Sequence, residues 1–185
     1  MIDDPMRPIV IGVDLSLRAT GIAHVDGTTE VFKPQGDGVA NYGLDRIAEI
    51  RDHLIAIVTR EHELELVMME GLAYAAHDNN RLLAMEAGII RMALYDAGCP
   101  LLVASPGQLK KYATGTGNAS KEAVVDAAQK RLRYEGFDNN EADALWLQAM
   151  GWELVGVPRV ELPQVHRNAL AELFKAVPAH KRVLR

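Results

Sequence analysis

Short apolar runs bounded by turn residues dominate the first third of the chain. Residues 9–14 form one run that ends in a carboxylate, and residues 21–25 and 30–32 form two more, with a glycine turn between them. Runs of this length joined by glycine-containing turns predict antiparallel strands. Two later runs, 64–70 and 100–104, predict further strands.

Apolar residues recur at helical spacing between and after these runs. The spacing predicts four long helices, at 41–62, 80–97, 120–132 and 140–154. Ser105 and Pro106 predict a shorter helix, because serine caps helix starts and proline fits the first helical position. A hairpin-rich start followed by alternating strands and helices predicts an α/β fold. Its mixed five-stranded sheet has three antiparallel strands first and is flanked by helices on both faces.

Composition and charge are those of a globular protein with one uneven region. The 185 residues are 49% hydrophobic and 24% charged, and the formal net charge is -5. An acidic balance disfavours a broad nucleic-acid-binding surface. Residues 159–185, however, hold six basic residues against two acidic ones. We therefore predict a folded domain over 1–157 and a basic C-terminal extension over 158–185.

Two of the apolar runs end in a carboxylate, which suggests a site. Asp14 ends the first predicted strand and Glu70 ends the fourth. Ligands of such sheets gather at the carboxyl ends of the strands. Two ionised carboxylates at one place repel each other, and a divalent cation relieves the repulsion. Oxygen ligands favour Mg²⁺ or Mn²⁺ over Zn²⁺.

Each candidate acid also has a purely structural interpretation. Asp14 can form a turn, and Glu70 can be a solvated strand end. Asp143 lies near the start of the helix predicted at 140–154, where an acid stabilises the helix dipole. Asn140 and Asp143 are also spaced like a capping box. From placement alone, Asp143 fits a helix cap as well as a metal ligand.

Four short motifs occur in a fixed order along the chain. They are Gly-x-Asp at 12–14 with Thr-Gly at 20–21, the acidic strand end at 67–70, Gly-x-Gly with a following lysine at 115–121, and the acidic helix start at 141–145. Together they resemble the RuvC Holliday-junction resolvases, which have an RNase H-like fold. The resemblance runs from about residue 9 to 151. The first motif alone is less specific, because it also opens sugar kinases and actin-like proteins.

The resemblance implies a metal-dependent endonuclease. Two Mg²⁺ ions, or Mn²⁺, are expected on Asp14, Glu70 and Asp143, where one activates water and the other stabilises the leaving 3′ oxygen. The products would be a 5′-phosphate and a 3′-hydroxyl. Lys121, at the start of a predicted helix, is expected to contact the phosphate. By placement alone it fits a solvated lysine as well.

One position departs from the family pattern. Asn140 stands where the family commonly has another carboxylate, three residues before Asp143. An amide oxygen can still bind a metal, with less charge. Glu141, next to it, points about 100° away around the helix and is the weaker candidate.

The resemblance also implies partners and a location. The expected substrate is branched DNA, above all a four-way junction, contacted by Lys110, Lys111, Lys121, Tyr74, Gly115 and Gly117. The near two-fold symmetry of a junction suggests a C2 homodimer, with helix 80–97 as its interface. Cys99 is the single cysteine, and no segment approaches the roughly 20 apolar residues that span a bilayer. We expect no membrane association and a cytoplasmic protein, bacterial or phage-encoded in a host.

Three alternatives are compatible with the same residues. The first is another RNase H-like nuclease that acts on RNA–DNA hybrids, flaps or RNA and shares the metal site. The second is a branched-DNA binding module without catalysis, which the neutral Asn140 would suit. A sugar-kinase-like fold is the third, but it needs a second domain of similar size, and the chain is too short for one.

Overall fold

The computed structural model describes residues 8–36, 40–61, 63–71 and 80–176. Its strands are β1 (Ile9–Asp14), β2 (Thr20–Ala23), β3 (Thr29–Phe32), β4 (Leu64–Glu70) and β5 (Leu101–Ala104). Its helices are α1 (Leu44–Val58), α2 (Asn80–Asp96), α3 (Pro106–Thr114), α4 (Lys121–Leu132), α5 (Asn139–Leu154), α6 (Gln164–Arg167) and α7 (Ala171–Ala176). Short 3₁₀ segments span Ala40–Gly43 and Asn168–Leu170. None of the described helices is long and apolar enough to cross a bilayer.

The five strands form one mixed sheet in the order β3-β2-β1-β4-β5. β1, β2 and β3 pair antiparallel, whereas β4 pairs parallel with both β1 and β5. Short connections join the first three strands, α1 leads from β3 to β4, and α2 forms the crossover between the parallel strands β4 and β5. The predicted five-stranded α/β architecture is confirmed.

The central strands bury both of their faces. Ile11, Val13, Val67 and Met69 pack toward α1 and α2. Because successive strand residues point to opposite faces, Met68 packs on the other side, with α3, α4 and α5. Helices therefore cover both faces. By the same alternation, the side chains of Asp14 and Glu70 lie on the face of the sheet that α5 covers.

Helix α5 lies close against β1 and β2, and two glycines make this approach possible. A Cβ at Gly12 would stand 2.0 Å from the Ala144 carbonyl oxygen, and one at Gly21 would stand 2.1 Å from the Asn140 carbonyl oxygen. No side chain fits at such distances. Gly12 and Gly21 thus set how closely the first turns of α5, including Asp143, lie over the sheet.

The N-terminal cap of α5 is not the one that the sequence predicts. The helix begins at Asn139, and the Asp138 carboxylate accepts hydrogen bonds from the backbone N–H groups of Asn140 (2.8 Å) and Glu141 (3.3 Å). The interpretation of Asn140 and Asp143 as a capping box is therefore wrong, because the cap lies two residues earlier. At α3, in contrast, the Ser105 cap is confirmed and forms a full capping box with Gln108.

Residues after Val157 pack on the body of the protein. Ala169, Leu170 and Leu173 are buried in the same core as α3, α4 and α5. The Gln108 side chain donates to the Ala169 carbonyl (3.3 Å). Arg159 donates to the Gln148 side chain (3.0 Å) and lies over the Trp152 ring. Basic residues of this segment thus hold the fold together.

Candidate metal centre

Three carboxylates lie at the carboxyl end of the two central strands. Val13 pairs with Met69 in the sheet, so the next residues, Asp14 and Glu70, stand side by side at the ends of β1 and β4. Asp143 comes from the first turns of α5, which crosses the same face. Asp14 is only 7% exposed. Three segments far apart in sequence therefore bring their acids to one place.

Burial and mutual repulsion disfavour the charged forms of these acids. Burial, followed by the charges of Glu70 and Asp143, raises the pKa of Asp14 well above its ordinary value. A side-chain hydrogen bond joins Asp14 and Glu70, and burial raises the pKa of Glu70. For Asp143, burial and the Glu70 charge raise the pKa to about 7. The centre therefore holds more negative charge than its surroundings stabilise.

Two lysines reduce this repulsion in part. Lys121 opens α4 and acts on all three carboxylates, lowering their pKa values. Lys110, on α3, acts in the same sense on Glu70 and Asp143. Burial still prevails, since the pKa values remain raised. The two lysines therefore offset the negative charge of the acids only in part.

The three carboxylates suit a hard divalent cation, although their oxygens do not converge on one point. Carboxylate oxygens are the ligands that Mg²⁺ and Mn²⁺ prefer. Within the described ranges, no three His, Cys, Asp or Glu side chains converge closely enough to hold an ion as they stand. Asp14 and Glu70 instead stand within hydrogen-bonding reach of each other. A cation between the two carboxylates would relieve their repulsion, so the donor chemistry fits.

The two residues beside Asp143 differ in their surroundings. The Asn140 side-chain oxygen accepts a hydrogen bond from the Asn139 amide (3.0 Å). Glu141 accepts one from the Tyr134 hydroxyl (2.5 Å). Glu141 is therefore engaged by the α4–α5 loop, in keeping with its expected direction around the helix. A metal-ligand role for Asn140 stays a prediction.

Three of the remaining candidate DNA-binding residues lie at the end of α3 or just after it. Gly115 ends α3 in a left-handed conformation (φ 89°), and Gly117 packs against Gly107. Lys111 lies in the last turn of α3 and is not among the groups that shift the pKa values of the acids. Tyr74 lies outside the described residues.

Two side chains that the sequence did not single out, Phe137 and His166, have notable surroundings. Phe137, in the loop before α5, is 86% exposed and shares a pocket with Lys121. His166 is buried and packs against Gly115, and its Nδ1 lies 2.8 Å from the Tyr112 carbonyl oxygen. An aromatic residue just before an acidic helix start was the available signal for Phe137. Nothing in the sequence signalled the contact of His166.

A five-stranded mixed sheet with acids at the ends of its central strands and on the crossing helix defines an RNase H-like nuclease. Thermus thermophilus RuvC has this fold, with a TM-score of 0.60 at 20% identity over 83% of this chain and 99% of that one. The yeast mitochondrial Holliday junction resolvase Ydc2 follows with a TM-score of 0.50 at 15% identity, over 95% of this chain and 86% of that one.

Sequence comparison names the particular family. The model of the family "Crossover junction endodeoxyribonuclease RuvC" matches residues 10–149. RuvC of Synechococcus sp. (strain CC9311) is 26% identical over 77% of this chain and 97% of its own length. RuvC of Anaeromyxobacter dehalogenans is 28% identical over 74% of this chain and 76% of its own. The chain belongs to the RuvC family, and the resemblance found in its motifs is confirmed.

Proposed function

We propose that this chain is a divalent-metal-dependent endonuclease that nicks four-way DNA junctions and leaves a 5′-phosphate and a 3′-hydroxyl. The observation that carries the proposal is the cluster of Asp14, Glu70 and Asp143, whose raised pKa values mark a site lacking positive charge. Thermus thermophilus RuvC, which shares the fold, has been solved in complex with a Holliday junction substrate. The family and the site thus support the same activity.

Each residue has a separate part in the proposed reaction. Asp14, Glu70 and Asp143 would hold Mg²⁺ or Mn²⁺, with Asn140 as a candidate fourth donor. When bound, the metal supplies an activated water and stabilises the departing 3′ oxygen. Lys121 places an ammonium group beside the acids at a helix N-terminus, where it orients the scissile phosphate and stabilises its growing charge. Lys110 holds the same strand from α3.

The DNA-binding roles of the loop residues rest on their position. Lys111 follows Lys110 on α3, and Gly115 and Gly117 allow the backbone between α3 and α4 to approach a phosphate closely. We assign Tyr74, by the family resemblance, to contact with a base. Residues 1–157 form the nuclease domain, and the extension from 158 braces α3 by its packing.

A second copy of the chain fits on α2. Its outer face exposes Met92 (59%) and Tyr95 (75%). These side chains and Arg91 line a cavity of about 690 Å³ next to β5. Exposed apolar residues of this kind mark an interface, and a C2 dimer matches the symmetry of a four-way junction. We place the proposed activity in the cytoplasm, of a bacterium or of a phage host.

The test compares substrates side by side. A synthetic immobile four-way junction is incubated with the protein in Mg²⁺, Mn²⁺ or EDTA, beside linear duplex, a flap and an RNA–DNA hybrid. Paired, symmetric nicks in the junction that disappear in EDTA and in Asp14→Asn are expected. Asp52→Asn is the matched control, because Asp52 is an exposed acid whose partner within the described ranges is its neighbour Arg51, and the variant should cut normally.

Each other outcome has a definite meaning. Cutting of the flap or the hybrid in preference to the junction keeps the metal centre and rejects the proposed substrate. Tight junction binding without nicks in either metal ion rejects catalysis and favours a binding module, with the neutral Asn140 as the first residue to replace by Asp.

A further inference from the structure

Phe137 is exposed to a degree that its chemistry disfavours. It lies in the loop between α4 and α5 and is 86% exposed, although aromatic side chains gain stability from burial. Of the large apolar side chains in the described residues, only Tyr42 is as exposed. A solvent-exposed apolar ring next to a catalytic centre indicates a surface that a binding partner covers.

The loop that carries the ring is well ordered by its contacts. Before Phe137, the Gly136 carbonyl accepts a hydrogen bond from the Gln129 side chain (2.8 Å). After it, the Asp138 backbone N–H donates to the Tyr134 hydroxyl oxygen (3.1 Å). Gly136 packs so closely on the Tyr134 ring that no Cβ fits there. The backbone is therefore braced on both sides of Phe137, which reduces the entropy that the loop loses on binding.

The ring forms one wall of a pocket that adjoins the metal centre. The pocket has a volume of about 320 Å³, near the lower end of the range for small-molecule sites. Val125 contributes apolar surface, and Lys121 contributes the ammonium group that also acts on Asp14, Glu70 and Asp143. A strand whose phosphate reaches Lys121 therefore brings its neighbouring nucleotide to Phe137.

We propose that Phe137 is a stacking platform for an unpaired nucleobase of the DNA strand held at the metal centre. This inference rests on the proposed function. Glu122 and Asp126 also line the pocket, and their negative charge disfavours a second phosphate there. A base has a flat π-face that can stack on the ring, and N–H groups on its edge that can donate hydrogen bonds to carboxylates. The pocket fits a base, whereas the adjoining lysine fits the backbone.

An unpaired base is the chemistry that a branch point supplies. Swinging a base out of a duplex costs several stacking and pairing interactions, and the cost is smallest where pairing is already disrupted. Stacking on an aromatic ring tolerates any base. The platform would therefore favour branched over linear DNA without demanding a particular sequence at the stacked position. It is separate from Tyr74, which lies in another segment of the chain.

The test measures binding and base environment independently of cutting. Junctions carry 2-aminopurine, or an abasic site, at each position next to the crossover, and Ca²⁺ replaces Mg²⁺ so that binding is measured at equilibrium. Wild-type protein should quench 2-aminopurine at one position. Phe137→Ala should abolish the quenching and weaken binding about tenfold. Phe137→Trp should restore both, and Phe137→Leu, which is apolar without a π-face, should restore neither fully.

The abasic junction separates stacking from a structural effect. An abasic site at the quenched position should weaken wild-type binding as much as Phe137→Ala does, with no further loss when the two changes are combined. Phe174→Ala, which removes another partly exposed phenyl group on α7, serves as the matched control. Additive losses, or quenching that survives Phe137→Ala, would overturn the proposal. So would a Phe137→Ala protein that binds normally but loses self-association, which would assign the ring to a second copy.

The two proposals fail in distinguishable ways. If wild-type protein cuts junctions while Phe137→Ala leaves binding and quenching unchanged, the stacking platform alone is rejected. If wild-type protein binds and quenches but never cuts, the platform stands and the nuclease proposal is rejected.

Discussion

Helix α5 contributes to two buried acidic sites that the protein treats in opposite ways. Near its C-terminus, Glu153 is 2% exposed and accepts hydrogen bonds from the Tyr112 hydroxyl (2.8 Å) and from the Arg167 guanidinium. Near its N-terminus, Asp143 meets two more acids, Asp14 and Glu70. In the described residues no salt bridge involves any of these three.

The contrast separates a structural acid from one that awaits a ligand. A buried carboxylate costs much free energy unless it is paired and hydrogen-bonded. At Glu153 the fold supplies both, and the neighbouring carboxylate also raises the pKa of Tyr112, after burial itself. At the metal centre the fold compensates the charge only in part, through Lys121 and Lys110. A site that remains unstable without an external cation is organised for binding rather than for stability.

Replacing one carboxylate by an amide in each site should distinguish the two sites most clearly in the rate of catalysis. Asp143→Asn should lower the rate of junction nicking at least about 100-fold, more than the loss of an outer-shell partner. Glu153→Gln should leave the rate per folded molecule within about threefold, because the polar partners of its carboxylate in the described part of the chain are Tyr112 and Arg167, not the acids of the metal centre. Single-turnover nicking rates measure both. Equal losses in the two variants would show that the sites are not functionally distinct.

The same two variants should have opposite effects on stability. Glu153→Gln should lower the free energy of unfolding by about 2 kcal/mol, since Arg167 loses its carboxylate partner in a partly buried position. Asp143→Asn should leave the metal-free protein equally stable or more stable at pH 8, because one repelling charge is removed. Urea unfolding in EDTA measures both. A metal-free Asp143→Asn protein as unstable as Glu153→Gln would contradict the distinction.

Metal binding should stabilise the protein in a pH-dependent way. Because the pKa of Asp143 is raised to about 7 in the folded state, its contribution to stability is full below its ordinary value and is lost as pH rises through 7. Saturating Mg²⁺ should therefore raise Tm by about 3–8 °C at pH 8 and by clearly less at pH 5. Thermal unfolding with and without Mg²⁺ measures this difference.

Asp143→Asn is the control for the metal effect. It should remove most of the gain in Tm at pH 8 and leave Glu153 and its partners untouched. A gain that is independent of pH, or that persists in Asp143→Asn, would place the bound ion elsewhere.

A third buried acidic site, formed by a single residue, offers the mildest test. Glu86, on α2, is fully buried, neither of its oxygens has a hydrogen-bond partner among the described residues, and burial raises its pKa to about 7. Its favourable contribution is present below its ordinary pKa and is lost as pH rises through 7. Glu86→Gln should therefore stabilise the protein by about 1 kcal/mol at pH 8 and have no such effect at pH 5. Urea unfolding at the two pH values measures it.

The sequence by itself determined the sheet and the places of two of the three candidate acids at its strand ends. Strands are recognised from short apolar runs, and a carboxylate at the end of such a run, as at Asp14 and Glu70, is a local feature. The glycines of the first motifs were visible too. Their physical reason, the close approach of α5 to Gly12 and Gly21, appeared only in three dimensions.

Tertiary structure decided what depends on residues distant in sequence. Spacing left Asp143 open between cap and ligand, and only the structure shows that the cap is Asp138 and that the Glu70 charge raises the pKa of Asp143. The pairing of Glu153 with Arg167 and the exposure of Phe137 likewise depend on how segments pack. Hydrophobic periodicity reports which face of an element is buried, but not which partner covers it. Local pattern therefore predicts elements, whereas the pairing of charges and the exposure of a ring follow from the assembled fold.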